Sequence, residues 1–455
     1  MSTAYLLALA AISIGVLLGL VIKLKMPAFI AMILVAMATA LAGGIAADKV
    51  IPTLTAGMGK TLGSVAIIVG LGAMLGRMIE VSGGAERLAH SFTEKLGRKR
   101  VVAAVTAAAF VLGIPVFFDV GFIILAPIVF GFAAVAGISP LRIGLPVAST
   151  LLAVHVALPP HPGPVAAAAT IGADNGLLTM LGLVACVPVA LVTYLVSQRM
   201  PLERITLGES PATEAVEAVE AAHAADDAPA RRTPSTGLVM ALILIPLGLI
   251  MVGTTGAMLL APGAARSWLG FIGSPVFALI VGCLLAYWLI ARNQGWGLDR
   301  RGEIMDGALP TVAIIIFVTG AGGVFANVLV ETGVGAALSG TLADLGMPLL
   351  LTAYLIAVGL RVAQGSATVA ILTTAGLVQP GVAAAGLSPI HTVLVVLAIA
   401  FGGYAASHIN DSGFWIVTRY LGLSVADGLR TFTVLTSIGS VVGMLGVTAL
   451  WFVLP

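Results

Sequence analysis

"LPPHPGP", residues 158–164, sets four prolines around a histidine inside a run that otherwise reads as membrane helix, with "PVASTLLAVHVA" before it and "VAAAATIGA" after. Proline lacks an N–H and clashes with the carbonyl four residues back, so no unbroken helix passes through this stretch. In a bilayer an unpaired backbone group is costly. Such a break is tolerated only where protein or a water-filled cavity surrounds it. The stretch therefore predicts a discontinuous helix facing the interior of a helical assembly.

The rest of the chain agrees with a membrane setting. Of its 455 residues 59% are hydrophobic and 9% charged, where a soluble domain carries about 25% charged residues. The formal net charge of +2 gives no basis for nucleic-acid binding. The 55 glycines suit close helix packing and broken helices. Cys186 and Cys283 both lie in apolar spans, which argues against a disulfide framework or a thiolate metal site. Lys23 and Lys25 follow the first apolar run, so residues 4–22 read as a retained span and not a cleaved signal.

Apolar runs fall at roughly 4–22, 27–47, 61–80, 100–136, 141–171, 177–197, 237–260, 269–291, 310–330, 347–383, 389–421 and 430–453. A crossing needs about 20 residues. The runs 100–136, 141–171 and 347–383 are too long for one. Each carries a polar or proline-rich interruption, as does 389–421, and this predicts re-entrant hairpins or broken helices. Residues 198–235 are rich in Ala, Glu, Asp and Pro and read as a solvated linker with a short helix at 212–222 and an exposed His223.

The linker separates two halves that resemble each other. "GISPLR" at 137–142 matches "GLSPIH" at 386–391, and "EKLG" at 94–97 matches "ADLG" at 343–346. "VAIIVGLGAMLG" at 65–76 echoes "VAIIIFVTGAGG" at 312–323. A near-constant spacing indicates an internal repeat, and in transporters such repeats often have inverted topology. The expected organisation is a first repeat over 1–197, a linker over 198–235 and a second repeat over 236–455. Spans 1, 2, 7 and 8 are expected to form the scaffold.

Charge supports the inversion. With 100–136 and 347–383 as hairpins, the clusters at 87–100, 142, 199–232, 292–301 and 419–430 all fall inside. Lys49, Lys60 and Arg266 remain outside, and the positive-inside rule holds. Both termini are then outside and the linker is cytoplasmic.

Under the repeat, "GIPVFFDVG" (113–121) falls opposite "VAQGSATVA" (362–370), and "LPPHPGP" falls opposite "SHINDSG" (407–413). Four breaks meeting near the bilayer midplane would turn half-helix N-termini towards one point, where their partial positive charge favours an anion. The few ionisable residues in this region are candidates by their depth. Asp119, Asp411 and His161 are the candidate proton carriers. Arg361 reads either as an anion ligand or as a structural partner of an aspartate or of hairpin-tip carbonyls. His155, on its apolar helix, reads as a satisfied packing histidine. His161, Gly163, Gln364, Gly365, Ser366, Thr368, Asn410, Ser412 and Asn327 complete the substrate candidates; the hydroxyl and amide groups at the breaks also read as half-helix caps.

"LPPHPGPVAAA", "RVAQGSATVA", "SHINDSGFW" and "GLGAMLGRMIEVSGGAERLA" resemble the gluconate permease family, the bacterial gluconate:proton symporters, from about residue 10 to the C-terminus. The resemblance implies secondary active uptake of a sugar acid across the inner membrane, with relatives that carry idonate, fructuronate or D-serine. It also implies a wider superfamily of dimeric, inverted-repeat transporters that move a transport domain past a scaffold as an elevator. Sodium-coupled members of that superfamily carry Ser-Asn-Thr at both hairpins. Here "GIPVFFDVG" and "GSAT" stand instead, which favours protons over sodium as the coupling ion. The expectation is a non-enzymatic, proton-coupled sugar-acid transporter with no metal or organic cofactor, working as a homodimer in the lipid bilayer. A D-serine or other amino-acid transporter of the same fold is the second reading. An intramembrane hydrolase is disfavoured, since no serine sits in a G-x-S-x-G setting.

Overall fold

A computed structural model of the chain describes residues 1–97, 100–211, 233–334, 337, 341, 347–409 and 411–454. The regular structure of the described residues is helical, with no strand among them. Seven of their helices are long and apolar enough to cross a membrane. The expected helix at 212–222, His223 and Asn410 lie outside the described residues.

The first half runs α1 (Thr3–Leu18), α2 (Ala28–Ala42), α3 (Ala47–Val81), α4 (Gly84–Leu96), α5 (Val101–Leu112), α6 (Phe118–Ala136), α7 (Pro140–Ala157), α8 (Pro162–Ile171) and α9 (Asn175–Arg199). The second half runs α10 (Thr236–Leu259), α11 (Ala264–Ile272), α12 (Pro275–Leu285), α13 (Leu298–Asp306), α14 (Leu309–Glu331), α15 (Leu349–Gln364), α16 (Ala367–Ala385), α17 (Pro389–Tyr404), α18 (Ser412–Tyr420) and α19 (Val434–Val453). The interruption at 113–117 separates α5 from α6, and Gly365–Ser366 separates α15 from α16. Residues 158–161 separate α7 from α8, and 405–411 separate α17 from α18.

The matching sequence motifs build matching turns. Gly137 and Gly386 end α6 and α16 in the left-handed region, with φ of 66° and 57°. Ser139 and Ser388 then cap α7 and α17 by accepting from Leu141 N and His391 N. Pro140 and Pro389 take the first helical position, where a missing N–H costs nothing. α6 and α16 each begin 249 residues apart, at Phe118 and Ala367, and end 249 apart, at Ala136 and Ala385.

Packing follows a two-fold pattern. α3 packs on α14, α9 on α19, and α7 on α17, each pair made of equivalent helices. α8 packs on α16 of the other half, and α18 packs on α6, so each broken helix rests on the opposite hairpin. At the α7/α17 contact the Tyr404 hydroxyl donates to the Ser149 carbonyl at 2.9 Å and lies 2.5 Å from the Ser149 hydroxyl, with both side chains fully buried. Gly439 of α19 makes room for the Tyr404 ring; a Cβ there would lie 2.5 Å from it.

Two sequence expectations are corrected. Lys49 and Lys60 do not sit in a loop between spans: both lie within the 35-residue α3. At 1.5 Å per residue α3 is about 52 Å long, against a hydrocarbon core of about 30 Å. Its polar first turns can therefore leave the core while its apolar part crosses. The run 269–291 is also not one helix. It divides at Gly273–Ser274, where Gly273 lies against Gly253 of α10. After α9 the chain folds back along the bundle. Arg142 pairs with Glu203, Gly208 N donates to Gly422 O at 2.8 Å, and Ser210 Oγ donates to Tyr420 O at 2.7 Å.

Candidate functional site

Four half-helices begin at the interruptions. The N-caps are Phe117 for α6, His161 for α8, Ser366 for α16 and Asp411 for α18. Contacts at the first turns hold them together. A Cβ on Gly163 would lie 3.8 Å from Thr368 Cα and 3.3 Å from Ile371, and one on Gly413 would lie 3.0 Å from the Phe118 ring. Two of the N-termini are capped by their own side chains: Ser366 Oγ accepts from Val369 N at 3.3 Å and Asp411 Oδ1 from Gly413 N at 3.0 Å. Phe117 and His161 make no such cap. In the first turn of α8 Pro162 and Pro164 have no N–H, and Gly163 supplies the one donor between them.

The second hairpin and the second broken helix are joined by an ion pair. Arg361, in the last turn of α15 and 1% exposed, donates from Nη2 to Asp411 Oδ2 at 2.5 Å. Ser407 Oγ donates to the same carboxylate oxygen. Asp411 thus holds three partners from three directions. Arg361 is less satisfied: its Nε and Nη1 are buried and find no hydrogen-bond partner among the described residues. Such groups cost free energy when left dry, more so when charged. An incoming oxyanion would satisfy them. His408 Nε2 lies 3.0 Å from Val362 O and ties the break to the same turn of α15.

The first hairpin and the first broken helix are joined by a histidine pair. His161 Nε2 lies 2.8 Å from the Gly113 carbonyl, and its Nδ1 lies 3.1 Å from His155 Nδ1. A carbonyl only accepts, so His161 carries its proton on Nε2. Its Nδ1 is then an acceptor when the ring is neutral, and His155 must donate from Nδ1. Phe117 packs edge-on against both rings. His155 is thus a packing histidine whose ring is satisfied by a hydrogen bond to His161. The signal for it was available in the sequence: a helix broken between the two positions can fold one histidine back onto the other.

Asp119, in the first turn of α6, is exposed, makes no hydrogen bond among the described residues, and lies within electrostatic reach of Asp411. Gly365 closes α15 with φ of 82°, a conformation that suits glycine. Gln364 is the last residue of α15, Thr368 is half-buried in the first turn of α16, and Ser412 is exposed at the start of α18. Asn327 does not join this group. Its amide donates to Thr53 O on α3 at 3.1 Å, and it faces Thr170 and Gln379 at the far ends of α8 and α16. Ser407 was missed, because a serine two residues into a break carries no signal until the break is folded.

Among the described residues the site thus offers one buried guanidinium with open donors, one paired carboxylate and one without a partner, and a short row of hydroxyls. A buried guanidinium with open donors suits an oxyanion, and a carboxylate suits a proton.

Comparisons with known proteins bear on this geometry. Residues 5–453 match the family model described as GntP family permease. The chain is 53% identical over 460 residues to the inner membrane permease YgbN of Escherichia coli, covering 100% of each chain. It is 36% identical to the high-affinity gluconate transporter of the same organism, over 97% of this chain and 98% of that one. It is 34% identical to the Gnt-II system L-idonate transporter, over 98% of each. Among solved structures it is similar to the YdaH transporter of Alcanivorax borkumensis, with a TM-score of 0.63 at 16% identity, covering 93% of this chain and 97% of that one. That similarity concerns the fold alone.

Proposed function

The chain belongs to the GntP family of permeases, and from that membership and the site we propose proton-coupled uptake of gluconate or a related sugar acid. The protein is a multi-pass membrane transporter and not an enzyme. The observation that carries the substrate reading is Arg361, a buried guanidinium whose Nε and Nη1 have no partner among the described residues. A carboxylate takes that position, and the hydroxyls of Ser366, Thr368 and Ser412 face the polar body of the substrate. Relatives that carry gluconate and L-idonate by name support this class.

Charge supports the coupling. With Arg361 positive and Asp119 and Asp411 ionised, the empty site carries one negative charge. A substrate carboxylate adds a second, in a medium where like charges repel strongly. One proton taken up with each anion restores the starting charge. Asp119 is the free carboxylate of the pair and is assigned that proton. Asp411 stays committed to Arg361 and Ser407. The Asp119 carboxylate also supports a second reading, an amino acid such as D-serine with its ammonium on that group.

The packing supports an elevator movement. α1–α3 and α10–α14 pack with one another, and α5–α9 and α15–α19 form the layer that contains the site. The layers meet where α14 packs on α16 and α3 on α8. The same reading places both termini outside, the linker in the cytoplasm, and a homodimer in the inner membrane.

Uptake of labelled gluconate, idonate, glycerate and D-serine by proteoliposomes, under an imposed pH gradient with and without sodium, tests the proposal. Accumulation of a sugar acid driven by the pH gradient alone is expected. Accumulation that requires sodium, or that occurs only for D-serine, overturns the coupling or the substrate class respectively.

A further inference from the structure

Lys60 is an exposed cation on α3, beside a cavity between the two layers. It lies 13 residues after the start of α3, about 20 Å along the helix axis. No ion pair to Lys60 occurs among the described residues. Two arginines near the breaks are paired. Arg361 has Asp411, and Arg77, which lines a comparable cavity beneath the first hairpin tip, has Glu80.

The groups around Lys60 describe what would pair with it. It lines a cavity of about 40 Å³ with Thr170, Asn327 and Gln379 among the other walls. A water needs about 10–15 Å³ of such space, so the cavity has room for a carboxylate-sized group. The ammonium is the counter-charge. The Asn327 amide is anchored on Thr53 O. Thr170 donates its hydroxyl proton to Ala166 O at 2.9 Å, which leaves its oxygen free to accept. A cation beside amide groups and a hydroxyl acceptor matches a carboxylate that carries hydroxyl groups.

Position matters as much as chemistry. The walls come from both layers: α3 and α14 on one side, α8 and α16 on the other. Along α8, Thr170 is seven residues from Gly163 at the break, or about 10 Å. α8 itself connects this cavity to the candidate central site.

We propose that Lys60, Thr170, Asn327 and Gln379 form a second subsite, which receives the carboxylate of the substrate on the side of the base of the second hairpin before it reaches Arg361. The proposal rests on the sugar-acid reading above. It gives Asn327 a role at an entry point on the outer side, separate from the breaks.

The test compares uptake in right-side-out and inside-out membrane vesicles, with labelled gluconate and no pH gradient. For Lys60→Gln the half-saturating concentration is expected to rise about tenfold in right-side-out vesicles, the loss of one charge-assisted contact. It is expected to stay unchanged in inside-out vesicles, and Lys60→Arg is expected to retain the wild-type value. No change in either orientation, or an equal shift in both, overturns the subsite. A shift that disappears in proteoliposomes made without anionic lipid also overturns it, since the oxyanion is then a lipid phosphate. Wild-type vesicles that take up no sugar acid would sink the substrate reading and this inference together; wild-type uptake with an unaffected Lys60→Gln would sink this inference alone.

Discussion

Arg361 Nη2 and Asp411 Oδ2 lie 2.5 Å apart and join the end of α15 to the cap of α18. The pair locks the second hairpin to the second broken helix while leaving part of the guanidinium open. Removing one member of a buried pair strands the other charge and costs about 3–5 kcal/mol. Arg361→Gln and Asp411→Asn should each lower the unfolding midpoint of the purified protein. The double variant should recover part of that loss, because no charge is stranded, yet show no stabilisation by gluconate. Gluconate stabilising the double variant as it does the wild type would place the anion elsewhere.

Asp119 offers the cleaner test of coupling because it holds no structural partner among the described residues. Asp119→Asn should fold normally and lose accumulation under a pH gradient, while counterflow of labelled against unlabelled substrate persists. Uphill uptake equal to wild type would remove Asp119 from proton transfer.

His155 and His161 share one hydrogen bond, so their effects should not add. His161→Leu also leaves the Gly113 carbonyl without its donor, a cost of about 1–3 kcal/mol. His155→Leu should destabilise less. The double variant should fall short of the sum by a coupling of about 0.5–3 kcal/mol. Thermal unfolding of the four proteins in detergent measures the cycle, and strict additivity would mean that the two rings share no hydrogen bond.

Two glycines of α3 should respond with opposite sign. Gly63 has nothing within 4 Å of a Cβ, so Gly63→Ala should stabilise by up to about 1 kcal/mol through helix propensity. A Cβ on Gly76 would lie 2.7 Å from the Pro115 carbonyl oxygen at the first hairpin tip. Backbone cannot yield as a side chain does, and Gly76→Ala should cost about 1–3 kcal/mol. Unfolding midpoints that move in the same direction would mean that the tip does not rest on α3.

The hairpins and broken helices were legible because their causes are local. "GISPLR" and "GLSPIH" each contain a left-handed glycine, a capping serine and a first-turn proline, and each builds the same turn wherever it stands. "LPPHPGP" forbids a helix by covalent structure alone. The second break depends on "SHINDSG", whose polar side chains supply a cap and partners where the first break supplies prolines. The charge pattern was less reliable about detail. It put Lys60 in a loop because a lysine is costly inside a span, and the structure carries it within α3 beside a polar cavity.

Sequence by itself therefore determined where the chain must break, that the breaks recur, and which titratable residues stand near them. Tertiary structure alone decided their pairing. Asp411 is bound to Arg361 and Ser407 while Asp119 has no hydrogen-bond partner among the described residues, and His161 meets His155 and Gly113 while Asn327 stands with Lys60. The reason is physical: helix starts and stops are set by neighbours within a few residues. The partner of a buried charge is set by which helices pack face to face, and here those helices come from opposite halves of the chain.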